Sequence, residues 1–284
     1  MIPTAFDYAR ASSLDDAVAR LAASKGAAKL IAGGHSLVPL MKLRLSEPQT
    51  LIDIARIPGL SGIREKDGKI EIGAGTVHHD VATSSLLREK CPMVAEAAAE
   101  IGDPQVRNRG TLGGSLAHAD PSADYPAVVL ALDAEIHLKG PKGWRVVKAG
   151  EFFQDLFTVN MAQDEIIANV IFAPVRTAAY AKLHQRASHY AIVGVAAALE
   201  VAGGKIKAAR LGVTGAGTHA VRLTGVEKAL AGQPATAAAV ASAVSGAGAD
   251  IKQVNADIHA SEDYRRAMIP VFARRALESA LRRA

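Results

Sequence analysis

Cysteine is almost absent: the 284 residues include one, Cys91. An intrachain disulfide is thereby excluded, and so is a zinc or iron–sulfur site built from cysteines of this chain. Any redox chemistry must therefore use a bound organic cofactor or another chain. Aromatic residues are scarce at 4%, and no basic–aromatic stacking pattern accompanies the net charge of +5. A nucleic-acid surface is not indicated. No apolar run approaches the roughly 20 residues that span a bilayer. The segment from Met1 to Ser13 lacks a basic stretch followed by an apolar one, so no signal peptide is expected. A cytoplasmic protein is the resulting expectation, with association with the inner face of the membrane left open. Two familiar phosphate loops are also lacking. There is no G-x-x-x-x-G-K-[ST], which excludes a P-loop NTPase. No G-x-G-x-x-G opens a helix with an acidic residue about 20 positions on, which disfavours a Rossmann NAD site.

What is present is an ordinary globular composition, 49% hydrophobic and 21% charged, enough for a substantial core. The patterning predicts an α+β fold in three units. The first spans residues 1–57. Ser13 caps a helix whose inner face is Leu14, Ala17, Val18 and Leu21, and strands cover 29–31 and 50–54. The second spans 58–175. It has strands at 69–72 and 166–172, helices over 77–87 and 92–101, and strand or short-helix character over 128–138. Residues 103–124 read as irregular, with too few apolar positions for core. The third spans 176–284. Apolar runs at 192–201 and 206–213 meet at Gly203-Gly204 as a hairpin. Helices follow over 223–231, 235–245 and 264–283. The arginines 265, 266, 274, 275, 282 and 283 read as a solvated helix face.

Two Gly-Gly turns carry the chemistry: Gly33-Gly34-His35-Ser36 and Gly113-Gly114-Ser115. A pyrophosphate is held by backbone N–H groups that a Cβ would keep away, and glycine removes the Cβ and permits positive φ. Ser36, Thr111 and Ser115 add hydroxyl donors. Other clusters are weaker. His78-His79-Asp80 reads as polar residues at a helix start. His118, Asp120 and Asp124 read as loop residues, and neither group is taken as a metal site. Cys91 reads as a packed or surface thiol. Gly215–His219 reads as a plain turn. Arg107 and Arg109 are either structural or a source of positive field near a phosphate. Tyr190 is either an ordinary packed residue or one that approaches a flavin ring.

Together, AGGHSLVPLMKLR (32–44), LIDI (51–54), DPQVRNRGTLGGS (103–115) and ADPSAD (119–124) resemble the FAD-binding medium subunit of molybdenum hydroxylases. That family includes carbon monoxide dehydrogenase and the flavin domain of xanthine dehydrogenase. The carbon monoxide dehydrogenase pattern is the nearer of the two. The resemblance covers the whole chain. It implies a two-subdomain FAD-binding fold of the vanillyl-alcohol-oxidase (PCMH) type plus a C-terminal α+β domain, with noncovalent FAD. It implies that Ala32, Gly33, Gly34, His35 and Ser36 wrap the pyrophosphate, with a second loop of Thr111, Leu112, Gly113, Gly114 and Ser115. It puts Asp124 on the adenosine part, and Ile101, Ile167 and Lys182 near the flavin. Ser115 departs from the Asn or Asp of many relatives. No catalytic side chain and no metal are implied in this chain. The implied partners are a large molybdenum-cofactor subunit and a small [2Fe–2S] subunit, arranged as a dimer of heterotrimers. The flavin would take electrons from the iron–sulfur clusters and pass them to a quinone, NAD or oxygen. Two rival readings remain: a stand-alone flavin oxidase, and a scaffold subunit with a vestigial flavin site.

Overall fold

The computed structural model describes residues 1–284. The chain opens with β1 (Asp7–Arg10), α1 (Leu14–Ala23), β2 (Ala28–Ile31), α2 (Leu37–Lys42) and β3 (Thr50–Asp53). The Ser13 hydroxyl accepts from the Asp16 N–H and starts α1, with Asp15 and Asp16 on the positive end of the helix dipole. β3 lies between β1 and β2, parallel to both. The polypeptide leaving the carboxyl end of β2 is Ala32–Ser36. In parallel sheets that edge is where ligands are bound.

Next come β4 (Ile63–Lys66), β5 (Lys69–Gly73), α3 (His78–Thr83), α4 (Ser85–Lys90) and α5 (Pro92–Ala99). The single helix expected over 77–87 is two helices, broken at Ser84. That residue is extended (φ −60°, ψ 119°), and its hydroxyl accepts from the Leu87 N–H to begin α4. Residues 103–124 differ more from expectation. They hold α6 (Pro104–Arg107) and α7 (Leu112–His118), and α8 starts at Asp124. Leu112 and Leu116 are 2% and 0% exposed, so the α7 part of this stretch is core, while 103–109 stay exposed or half-buried. α8 (Asp124–Ala131), β6 (Glu135–Gly140), β7 (Gly143–Lys148), α9 (Ala149–Phe152), β8 (Phe153–Asp155), β9 (Thr158–Val159) and β10 (Ile166–Phe172) complete this region. The larger sheet is antiparallel in the order β4-β5-β10-β6-β7. One continuous core joins it to α1 and β3, from Ala17 and Ile52 through Ile70 and Ile136 to Phe172.

The remainder is β11 (Ala178–His184), β12 (Ala191–Ala202), β13 (Lys205–Thr214), β14 (Val221–Arg222), α10 (Thr224–Leu230), α11 (Ala237–Ala243) and α12 (Glu262–Leu281). The hairpin turns at Gly203 and Gly204, both with positive φ. A second core fills this part. α8 is buried on every side, because sheet β11-β12-β13-β14 packs on one face and α5, α7 and α9 surround the rest. A methyl at Gly212 of β13 would overlap the Ala127 carbonyl of α8, so strand and helix backbones nearly touch.

The arginines of α12 are not a uniform solvated face. Arg265 is 2% exposed. It donates to the Ile192 and Gly215 carbonyls at 2.7 Å each and to Asp257 at 2.6 Å. A guanidinium has five donors in a fixed fork and is buried only where acceptors meet it. Arg283 donates to the Ala178 carbonyl and pairs with Glu96. Arg266 and Arg274 make i,i+4 pairs on the exposed side. No helix is long and apolar enough to cross a membrane.

Candidate functional site

The Ala32–Ser36 loop has two glycines for two separate reasons. Gly34 has φ +74°, which only glycine adopts at little cost. A methyl at Gly33 would overlap the Arg109 carbonyl and stand 2.8 Å from the Gly110 Cα. The two glycine loops are therefore in backbone contact. The consecutive N–H groups of Gly33, Gly34, His35 and Ser36 donate to no protein acceptor. Four unengaged donors in sequence form an anion cradle of the kind a phosphate requires. His35 is exposed beside them, its Nδ1 3.1 Å from the Gly33 carbonyl.

The second loop is built differently from expectation. All of its amides except that of Thr111 are spent inside the protein. Leu112 N–H donates to the Thr76 carbonyl at 3.0 Å and Gly113 N–H to Ala74 at 2.8 Å. Gly114 N–H goes to the Thr111 hydroxyl at 3.1 Å and Ser115 N–H to the Thr111 carbonyl at 3.0 Å. Thr111 is thus the N-cap of α7, and this loop is not a second nest. What it offers a ligand is a close-packed glycine floor and the hydroxyl of Ser115.

The other predicted positions fall into two groups. Ile167 is buried in β10, and the Ala168 carbonyl beside it accepts from Ala74 N–H at 2.9 Å, which ties it to the second loop. Asp124 and Lys182 form a buried ion pair, 2.9 Å apart, with side chains 4% and 1% exposed. Lys182 also donates to the Glu100 carbonyl at 2.9 Å, next to Ile101. The resemblance gives these two residues separate roles, at the adenosine and near the flavin, and the structure brings their side chains into direct contact. Burial pushes the Asp124 carboxyl up, and Lys182 and then the Tyr180 hydroxyl pull it back. His78 links the two groups. Its N–H donates to the Gly110 carbonyl, and its ring packs on Tyr125, the neighbour of Asp124. Burial, followed by the nearby His35 and Arg107, lowers His78 to about 4, so it is neutral.

Several other residues find structural uses. Arg107 donates to the Ile101 and Gly102 carbonyls at 3.0 and 2.9 Å. The Gly215 turn is held by its N–H to Pro121 and by Arg265. No group of three or more His, Cys, Asp or Glu side chains is placed to hold a metal ion. Cys91 is buried, and desolvation pushes its thiol up to about 12. The native chain is therefore expected to leave a thiol-specific reagent unreacted near neutral pH, while the denatured chain releases one equivalent. Rapid labelling of folded protein would contradict the packed position.

Residues 4–174 match the family model described as FAD binding domain in molybdopterin dehydrogenase, and residues 178–280 match the CO dehydrogenase flavoprotein C-terminal domain. The chain belongs to the FAD-binding medium subunits of the molybdenum hydroxylases. It is 40% identical to the carbon monoxide dehydrogenase medium chain of Hydrogenophaga pseudoflava, covering 99% of this chain and 98% of that one. It is 39% identical to the 6-hydroxypseudooxynicotine dehydrogenase complex subunit alpha of Paenarthrobacter nicotinovorans, covering 100% and 97%. The solved structure of the Hydrogenophaga pseudoflava enzyme superposes with a TM-score of 0.95 over 100% of both chains at 39% identity. The fold is thus that of this family, an FAD-binding domain followed by a C-terminal domain, in an oxidoreductase subunit. The cradle of Gly33–Ser36 fits the cofactor that the family model names, because its free donors and absent Cβ atoms suit a dinucleotide diphosphate.

Proposed function

We propose that this chain is the electron-transfer flavoprotein of a molybdenum-containing hydroxylase or dehydrogenase. It would take electrons from the [2Fe–2S] clusters of a small partner subunit and pass them to an external acceptor. A large molybdenum-cofactor subunit would oxidise the substrate, and the whole would assemble as a dimer of heterotrimers. The observation that carries the reading is the run of four unengaged N–H groups in a chain of this family. FAD, when bound, accepts electrons singly and stores two.

The chain's own residues bind and orient. Gly33, Gly34, His35 and Ser36 hold the diphosphate, and Ala32 leads the strand into that loop. Thr111, Leu112, Gly113, Gly114 and Ser115 form the opposing wall. Ile101 and Ile167 supply apolar contact near the ring. The Asp124–Lys182 pair, at the junction of α8 and β11, is assigned to the ring rather than the adenosine because Lys182 also reaches the Glu100 carbonyl next to Ile101. The division into residues 1–57, 58–175 and 176–284 belongs to the same proposal, with one principal sheet in each. Relatives named for carbon monoxide, a nicotine derivative and quinoline match over nearly the whole chain. Substrate choice is therefore assigned to the large subunit.

The test is co-expression with the two partner chains, followed by purification. One FAD per chain is expected, with the visible bands of an oxidised flavin that bleach on substrate addition only in the assembled complex. Bleaching of the isolated chain by an organic substrate would favour the stand-alone oxidase. A chain that takes up no FAD would defeat both.

A further inference from the structure

Tyr180 stands two residues before Lys182 on β11, which puts both on one face of the strand. Its hydroxyl donates to Asp124 Oδ1 at 2.6 Å, and its backbone N–H donates to Glu96 Oε2 at 3.1 Å. The other oxygen of Glu96 accepts from Arg283, which also donates to the Ala178 carbonyl. The start of β11 is thereby pinned from the end of α12. Gly194 of β12 lies opposite Lys182, and a methyl there would overlap the Tyr180 hydroxyl. Glycine at 194 leaves the room that the hydroxyl occupies.

Asp124 therefore accepts from two donors of different character. Lys182 is shared with the Glu100 carbonyl, and an ammonium on a four-carbon stem directs a partner poorly. Tyr180 is a rigid ring with a single hydroxyl hydrogen, and that hydrogen goes to Asp124 alone. The charged and titratable groups facing the carboxylate are Lys182 and Tyr180 from β11, Glu100 after α5, Tyr125 on α8, and Tyr190 before β12.

We propose that Tyr180 is a positioning residue of the flavin site, fixing the Asp124 carboxylate in one ionised orientation so that the Asp124–Lys182 pair keeps one geometry beside FAD. The proposal rests on the flavoprotein reading above. Without the hydroxyl, the buried carboxylate loses a donor that favours its charged form, so it takes up a proton at higher pH. Loss of the ionised pair on acidification would then begin earlier.

FAD binding is measured by flavin fluorescence across pH for the full chain in its complex. The forms compared are wild type, Tyr180→Phe, Asp124→Asn and the double variant. Tyr180→Phe is expected to weaken FAD binding about tenfold. It should also raise the pH at which FAD is lost by about one unit. Asp124→Asn should abolish that pH step, and adding Tyr180→Phe to it should change affinity by less than about twofold, since positions acting through one group are not additive. Gly194→Ala, which displaces the hydroxyl without removing it, should reproduce Tyr180→Phe. Wild-type affinity and pH profile in Tyr180→Phe would overturn the proposal while leaving the flavoprotein reading intact. So would a second tenfold loss on top of Asp124→Asn. Failure of the wild type to take up FAD would overturn both.

Discussion

Replacing Gly33 by valine is expected to abolish FAD retention, lowering affinity by at least about a thousandfold, or roughly 4 kcal/mol. The atoms in the way are backbone. A Cβ at this position would overlap the Arg109 carbonyl and lie 2.8 Å from both the Arg109 carbonyl carbon and the Gly110 Cα. No side chain can turn aside to relieve this, so the two loops must part. Parting them rotates the Gly33–Ser36 donors out of convergence, and the Gly110 carbonyl also anchors the His78 N–H. Gly34→Ala is the graded comparison. Its added Cβ meets side chains alone, Val38 at 3.2 Å and Ile31 at 3.6 Å. The cost is then mainly the positive φ, about 1–2 kcal/mol, or roughly a tenfold weakening if it falls wholly on the bound geometry. Isothermal titration with FAD, beside a thermal melt of each apoprotein, separates lost cradle from lost fold. Tight FAD binding by the valine variant would remove the first loop from the site.

The first loop was legible because its two requirements, positive φ and no Cβ, are both met by one residue type in adjacent positions. The second loop shows the limit of the same signal. Gly113-Gly114 has a similar pattern, yet its N–H groups go to Ala74 and Thr111. Whether an amide is free depends on what packs against it, and Ala74 is 39 residues away along the chain. The helical core at 112–131 was missed for a related reason. α7 is only seven residues long and contains two glycines, so neither propensity nor periodicity can register. α8 is apolar on all sides, and such a run cannot be told from a buried strand by period alone. The burial of Arg265 was equally hidden, since its acceptors come from Ile192, Gly215 and Asp257. Tyr180 had one usable signal, its i,i+2 relation to Lys182. That relation means something only once 178–184 is known to be a strand.

Lys182→Ala is expected to cost about 3–5 kcal/mol of stability, the usual range for breaking a buried ion pair by removing one partner. It should also lower the potential of the bound flavin. Both follow from one fact: the Asp124 carboxylate, 4% exposed, would lose its counter-ion. A lone negative charge beside the ring opposes the negative charge of reduction, so the potential moves down. The pH dependence has a definite sign. Burial already raises the folded Asp124 carboxyl above its ordinary value, and removing Lys182 raises it further. A carboxyl whose folded pKa lies above its unfolded one makes the native state bind more protons. Stability therefore falls as pH rises from the ordinary carboxylate range up through the raised folded value. The variant should accordingly melt higher in mildly acidic buffer than at neutral pH, and by a wider margin than wild type. Asp124→Asn combined with Lys182→Met removes both charges and should recover most of the loss, because the penalty lies in the unpaired ion rather than in the missing bond. The coupling energy from the cycle of wild type, Lys182→Met, Asp124→Asn and that double variant is expected at about 2–3 kcal/mol. A potential unchanged in Lys182→Ala with FAD still bound would place the pair away from the ring. Simple additivity in the cycle would show that the two charges do not depend on one another.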